Sequence, residues 1–236
     1  MAGARPEYLP VLLAMAASGL TGRSSSTTSQ ATVALVNGPI RDEIGMNSGI
    51  GAMGPYNHAN AAIGRAFGLL SQNLQGGSVP HESYMGSQGN FLSYNATLAE
   101  NERASPWEPF HVQHGFAPED STVSLFLGGW YTIFGGGPRQ TWQEKFTRSL
   151  QACDPYTGPI IALDPLVARG FVDLGFETKQ KLIDGCVEHA RLPAREYWDN
   201  QWIQTLHRPR ALAGIEPYAS MLKAGPGEPI RMFRPE

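Results

Sequence analysis

Charge and cysteine are both scarce in this sequence. Asp, Glu, Lys and Arg make up 17% of the 236 residues, well below the roughly 25% of an average soluble protein. Eighteen basic residues against 21 acidic ones leave a net charge of −3 and a pI near 6.1. No basic field of the kind that follows a phosphate backbone is present, so nucleic acid is not an expected partner. Two cysteines exclude a disulfide scaffold and a Cys-based zinc cluster, and they fit reduced thiols and a cytoplasmic location. The longest apolar run, Tyr8 to Leu20, is shorter than the ~20 residues of a spanning helix and follows Arg5 and Glu7, so no membrane partner is expected. Ala14-Met15-Ala16 resembles a signal-peptide cleavage site, but the segment reads better as a first helix. Also missing are G-x-S-x-G, P-loop and H-E-x-x-H patterns, which removes hydrolysis by a nucleophile elbow.

Glycine (27) and proline (18) are plentiful, so loops carry much of the fold. Leu9, Leu12, Leu13 and Ala16 recur at helical spacing after Pro6, giving a first helix with one apolar docking face. A Ser/Thr connector follows, then a compact β-branched run from Ala31 to Val36 closed by the turn Asn37-Gly38-Pro39. Asn57 or His58 opens a helix to about Asn73 with Ile63, Ala66, Phe67 and Leu70 on its core stripe. Strands are expected over Ser121 to Leu127 and Gly158 to Leu163. Trp130 to Phe134 reads as the second strand of a hairpin or as a glycine-flanked lid. Helices are expected over Trp142 to Leu150, after an Asp164 cap with Pro165 at the first position, and from Thr178 to Ala190. Interleaved strands and helices predict an α/β or α+β fold in one compact domain with glycine-rich loops and terminal extensions. The expected division is a helix and connector over 1–29, a core carrying the site over 30–214, and an extended arm over 215–236.

In so uncharged a chain, concentrated polarity marks candidate chemistry. Asn47, Ser48 and Gly49, the block Tyr56 to Asn60 with Asn57 and Asn60, Tyr94, and Trp107 are the expected substrate-binding residues. His58, near a helix start, suits a general base or a donor to substrate. Glu100 and Glu102 at i, i+2 suit a carboxylate pair for proton transfer, and His111 completes the catalytic set. Gly49 to Gly54 has the G-x-G-x-x-G spacing, but the preceding strand ends too early and no acid follows about twenty residues later. A nest of backbone N–H groups for a small anion, or a loop shaped for packing, remain its readings. His111 and His114 form an H-x-x-H pair hemmed in by Pro109 and Gly115, a poor geometry for a metal, so none is assigned. Nothing in the sequence specifies a cofactor. Cys186 falls on the apolar face of its helix, whereas Cys153 lies in a loop without a local base.

The runs Val36-Asn37-Gly38-Pro39-Ile40, Glu43 to Gly49, Gly54-Pro55 and Asn57 to Arg65 resemble a poorly characterised bacterial family. So do Ala99-Glu100-Asn101-Glu102, Ser105-Pro106-Trp107, Pro109, His111-Val112, Gly115-Phe116 and Glu188 to Pro193. Such proteins are associated with small proteins carrying a selenocysteine-or-cysteine-Gly-Ser-Cys motif. The resemblance implies a subunit of a two-component enzyme, an oxidoreductase or lyase, with the redox centre on the partner. This chain departs from that family's pattern in having Thr97 where the family has cysteine, and in its second histidine, His114. The expected function is thiol- or selenol-assisted reductive cleavage or elimination of a small polar organic molecule. The alternatives are a self-contained lyase or hydratase using His58 and Glu100, and a noncatalytic partner of a small redox protein. A second subunit or a homo-oligomer is the expected assembly, the terminal segments being suited to reach another chain.

Overall fold

The computed structural model describes residues 1–19, 31–54, 56–74, 96–129, 131–134, 142–151, 160–193 and 229–231. A 3-10 turn, Pro6–Tyr8, leads into α1 (Leu9–Ala17), with proline in the first turn of each, where a missing N–H costs nothing. Tyr8, Val11 and Met15 are the buried positions, while Leu9 and Leu13 are 53% and 58% exposed. The buried stripe is thus rotated from the expected Leu9, Leu12, Leu13 and Ala16 face. Every residue of α1 is apolar, so periodicity alone could not choose which side would be covered.

Next come β1 (Ala31–Asn37), the single-turn α2 (Ile40–Glu43), the long α3 (His58–Leu74), β2 (Ala96–Ala99), the single-turn α4 (Phe110–Gln113) and β3 (Thr122–Gly129). β1 is the central strand of the sheet β2-β1-β3. It runs parallel to β2, from Val33 opposite Ala96 to Val36 opposite Ala99. It runs antiparallel to β3, with Asn37 opposite Thr122 and an irregularity near Ala31. A parallel neighbour requires a crossover connection, which here contains α2 and α3. Ala59, Ala62, Ile63 and Phe67 of α3 share a core with Tyr8, Val11 and Met15 and with Ala34, Val36 and Ala99 of the sheet. That core fixes the sheet face away from Asn37, since successive strand side chains alternate sides.

β4 (Tyr131–Phe134), α5 (Trp142–Gln151), β5 (Ile160–Leu163), α6 (Pro165–Asp173), α7 (Lys179–His189), β6 (Arg191–Pro193) and β7 (Pro229–Arg231) follow. β4 pairs in parallel with β5, so it is not the second strand of a hairpin with β3. The Asp164 carboxylate accepts from the N–H of Leu166 at 2.8 Å and caps α6 as its Asp-Pro sequence predicts. Mixed parallel and antiparallel pairing together with helices is the expected α/β or α+β class.

The chain forms two compact units, Met1–Gly135 with Ile160–Thr178, and Gly136–Pro159 with Lys179–Glu236. In the second, α5 packs on α7, with Phe146, Leu150, Leu182, Cys186 and Ala190 buried. Of the expected C-terminal arm, β7 lies among the described residues and pairs antiparallel with β6.

Candidate functional site

The partly buried carboxylates of the first unit gather where β1 and β2 end. A parallel pair delivers both C-terminal ends to one edge, the edge at which open α/β sheets place their ligands. β1 ends in Asn37, wholly buried, and the turn after β2 carries Glu100 and Glu102. The Asn37 amide nitrogen donates to Glu100 Oε2 at 2.6 Å and to Glu102 Oε1 at 3.0 Å, so one side chain gathers both carboxylates. The Gly38 N–H donates to Glu102 Oε1 at 2.8 Å. Gly38 has φ +82°, a left-handed conformation, and a Cβ there would overlap the carbonyl of Asp120; glycine is required on both counts.

Arg41, from α2, completes the cluster. Its Nη2 meets Glu102 Oε2 at 2.9 Å, Nη1 donates to the Glu100 carbonyl at 2.7 Å, and Nε donates to the Gly38 carbonyl at 3.1 Å. The two side chains of this ion pair are 7% and 13% exposed, so solvent screens them far less than it would a surface pair. Burial by itself would raise the Glu102 carboxyl. The Gly38 N–H, the Asn37 amide, the Arg41 guanidinium and, when its ring is protonated, His111 outweigh it and hold the group below its ordinary 4.5. Glu100 is half-buried, and its Oε2 also accepts from the N–H of Phe110 at 2.7 Å. That bond ties the start of α4 to the site.

The next residue of α4, His111, is 1% exposed. Its Nδ1 stands 4.0 Å from Glu102 Oε1 and has no hydrogen-bond partner, while Nε2 lies 3.4 Å from the Pro118 carbonyl oxygen. His114, three residues on, is exposed and bonds the Phe110 carbonyl at 2.8 Å through Nδ1, so the H-x-x-H pair does not converge. Among the described residues, no group of three His, Cys, Asp or Glu side chains is arranged to hold a metal ion.

The asparagines of the first polar block form a separate knot. Asn47 and Asn60 bond reciprocally, backbone N–H to Oδ1 and Nδ2 to carbonyl, each at 3.0 Å. Asn47 Nδ2 donates to Asn57 Oδ1 at 2.9 Å and to the Ile50 carbonyl at 3.0 Å, and its Oδ1 receives the Gly49 N–H at 2.8 Å. Asn57 Nδ2 faces the carbonyls of Gly51, Ala52 and Gly54 at 2.6, 3.1 and 3.1 Å. These amides lock the glycine loop onto the start of α3. The N–H groups of Ala52 and Gly54 are also bonded inside the loop, to Gly49 and Gly51, so with the Gly49 N–H three donors of the expected anion nest are spent within it.

His58 is exposed and hydrogen-bonds the buried Tyr8 hydroxyl through Nδ1 at 2.8 Å, joining α3 to α1. The carboxylate cluster is assembled without it. Trp107 is 8% exposed, and its indole donates to the Phe176 carbonyl at 3.0 Å. Ser48 is half-buried beside the asparagine knot. Tyr94 and Cys153 lie outside the described residues. Burial pushes the Cys186 thiol up to about 12, which leaves it protonated at neutral pH.

Glu100, Glu102 and His111 therefore come together, and the structure adds Asn37 and Arg41. Asn37 stands in the sequence as part of a turn signal, and only a strand-ending asparagine before Gly-Pro hinted at more. Arg41 lies 61 residues from its partner Glu102, beyond any local pattern. No family model, curated protein or solved structure matches the chain.

Proposed function

We propose that the first unit is an enzyme subunit that handles a small polar organic molecule at the C-terminal edge of β1 and β2 by proton transfer. The observation that carries this reading is the convergence of Glu100 and Glu102 on the Asn37 amide in two different environments. Glu102 is bound by Gly38 and Arg41 and kept ionised, which makes it an orienting anion. Glu100, half-buried, is the member within reach of a ligand and is assigned the acid–base role. Two carboxylates driven into unlike environments are a recurrent arrangement for acid–base work. A lyase or hydratase is the matching reaction class, with His111 in place of His58 beside the acids.

The experiment is thermal-shift screening of the full chain against hydroxy acids, amino acids, amides and polyols, followed by turnover assays on each hit. Binding retained but turnover reduced about 10²-fold or more in Glu100→Gln is the expected result. Hits that bind and turn over equally well in Glu100→Gln and Glu102→Gln would refute it.

One observation favours a second reading, chemistry shared with a partner's thiol or selenol. Cys186 is buried with its thiol pushed to about 12, so the described part of the chain supplies no ready thiolate. Turnover that appears only on adding a small dithiol protein would support this two-component form.

A further inference from the structure

Three buried polar atoms are left without partners at the sheet edge that carries the carboxylates: His111 Nδ1, Asn37 Oδ1 and Thr122 Oγ1. Asn37 and His111 are 0% and 1% exposed, so bulk water does not serve them. Thr122 is the register partner of Asn37 across the β1–β3 ladder, and directly opposed residues of an antiparallel pair present their side chains on the same face. Leaving a buried acceptor unpaired is costly, so several such atoms at one edge of a sheet point to a ligand.

The chemistry of the gap selects that ligand. His111 Nε2 faces the Pro118 carbonyl, an acceptor, and so carries the single proton of the neutral ring. Nδ1 then presents a lone pair toward Glu102 Oε1, itself an acceptor held ionised. Nδ1 needs a donor, and one with a second hydrogen can also serve Glu102 Oε1, 4.0 Å away, beside the N–H groups of Asn37 and Gly38. Two hydrogen bonds of about 2.8 Å meeting at about 90° span that separation, the geometry of one bridging water. Donating both hydrogens leaves the water oxygen free to accept; among the described residues the orphans with a hydrogen to give are the Thr97 and Thr122 hydroxyls, and Thr122 is the one opposite Asn37. Two to four polar partners are what a buried water requires.

We infer that a single ordered water bridges His111 Nδ1 and Glu102 Oε1, tying α4 to the carboxylate turn through a His–water–Glu relay. The inference rests on the geometry of the cluster and holds whether or not the site is catalytic. A fixed water here explains how a fully buried imidazole coexists with an unbonded ring nitrogen facing a carboxylate.

The test is nuclear magnetic resonance on the full-length, ¹⁵N-labelled protein at pH 8. Long-range ¹H–¹⁵N correlations read the tautomer of His111, and water-selective cross-relaxation reads a bound water at its ring. The His111 signals are identified by their loss in His111→Gln, or through the backbone of the unsubstituted protein if that variant does not fold. The expected result is a proton on Nε2, none on Nδ1, and a cross-peak from a long-lived water to the His111 ring. A proton on Nδ1 would mean a direct pair with Glu102 and overturns the inference. So does an Nε2-protonated ring without a water cross-peak.

Discussion

Replacing Glu102 by glutamine keeps the shape of the side chain and removes one charge, which isolates the electrostatic role of the cluster. The carboxylate takes two N–H bonds on Oε1, from Asn37 at 3.0 Å and Gly38 at 2.8 Å, and the Arg41 guanidinium on Oε2 at 2.9 Å. A glutamine places an NH2 group against one of these donors and leaves Arg41 without a counter-ion at 7% exposure. Breaking a fully buried pair costs about 3–5 kcal/mol. Glu102 is 13% exposed, and Arg41 keeps its bonds to the carbonyls of Gly38 and Glu100, so we expect about 2–3 kcal/mol. Against a typical total of about 5–15 kcal/mol this is a large loss. With a urea slope of about 2 kcal/mol per molar it moves the midpoint down by about 1–1.5 M. Because the chain forms two compact units, hydrogen exchange of peptides spanning 31–46 and 96–115 should be followed beside the global transition.

The same variant carries a pH signature. The folded Glu102 carboxyl sits below 4.5, so in acid the unfolded state binds the extra proton. Its stabilisation is complete above about pH 4.5 and is lost as pH falls through the folded value. Glu102→Gln should lack this component of acid destabilisation. Adding Arg41→Met should restore part of the stability, since removing both partners costs less than leaving one charge buried. A loss under about 0.5 kcal/mol in Glu102→Gln, or an unchanged acid dependence, would refute the electrostatic account.

Gly38→Ala must both adopt a left-handed φ and displace the Asp120 carbonyl, so a loss of about 3 kcal/mol or more, or failure to accumulate as soluble protein, is expected in thermal melts. Asn57→Ala removes the donor facing three loop carbonyls; about 1–2 kcal/mol and faster exchange across 49–56 should follow, with exchange in β1 little changed. Tyr8→Phe deletes the bond to His58 without opening a cavity and should cost about 0.5–1.5 kcal/mol, whereas a loss above 3 kcal/mol would contradict the half-exposed setting of that pair. Peptide-mapped alkylation at pH 8 should label Cys186 far more slowly in the native protein than in urea, because its thiol is buried and raised to about 12.

Local chemistry made several elements legible before any tertiary contact. The β-branched run of β1, the stripe of α3 and the Asp-Pro start of α6 each carry their signal in residues close in sequence, although the strands that pair with β1 and the core that covers α3 come from distant parts of the chain. Glu100, Glu102 and His111 were legible as candidates because charge is sparse here and Glu100 and Glu102 stand at i, i+2, a spacing that the other acids of the sequence do not have. Composition could not say which polar residues would meet. The asparagines and His58 had the same local appearance as the acids, yet the fold uses the former to close the glycine loop and the latter to hold α1. Which side of the wholly apolar α1 is covered, and that β4 joins β5 instead of β3, also depended on partners distant in sequence. The site itself was decided by parallel pairing: β1 and β2 end at one edge, so Asn37 and Arg41 meet acids some sixty residues away. Propensity and periodicity act over a turn or a strand. Burying a charge depends on what the whole chain brings to it.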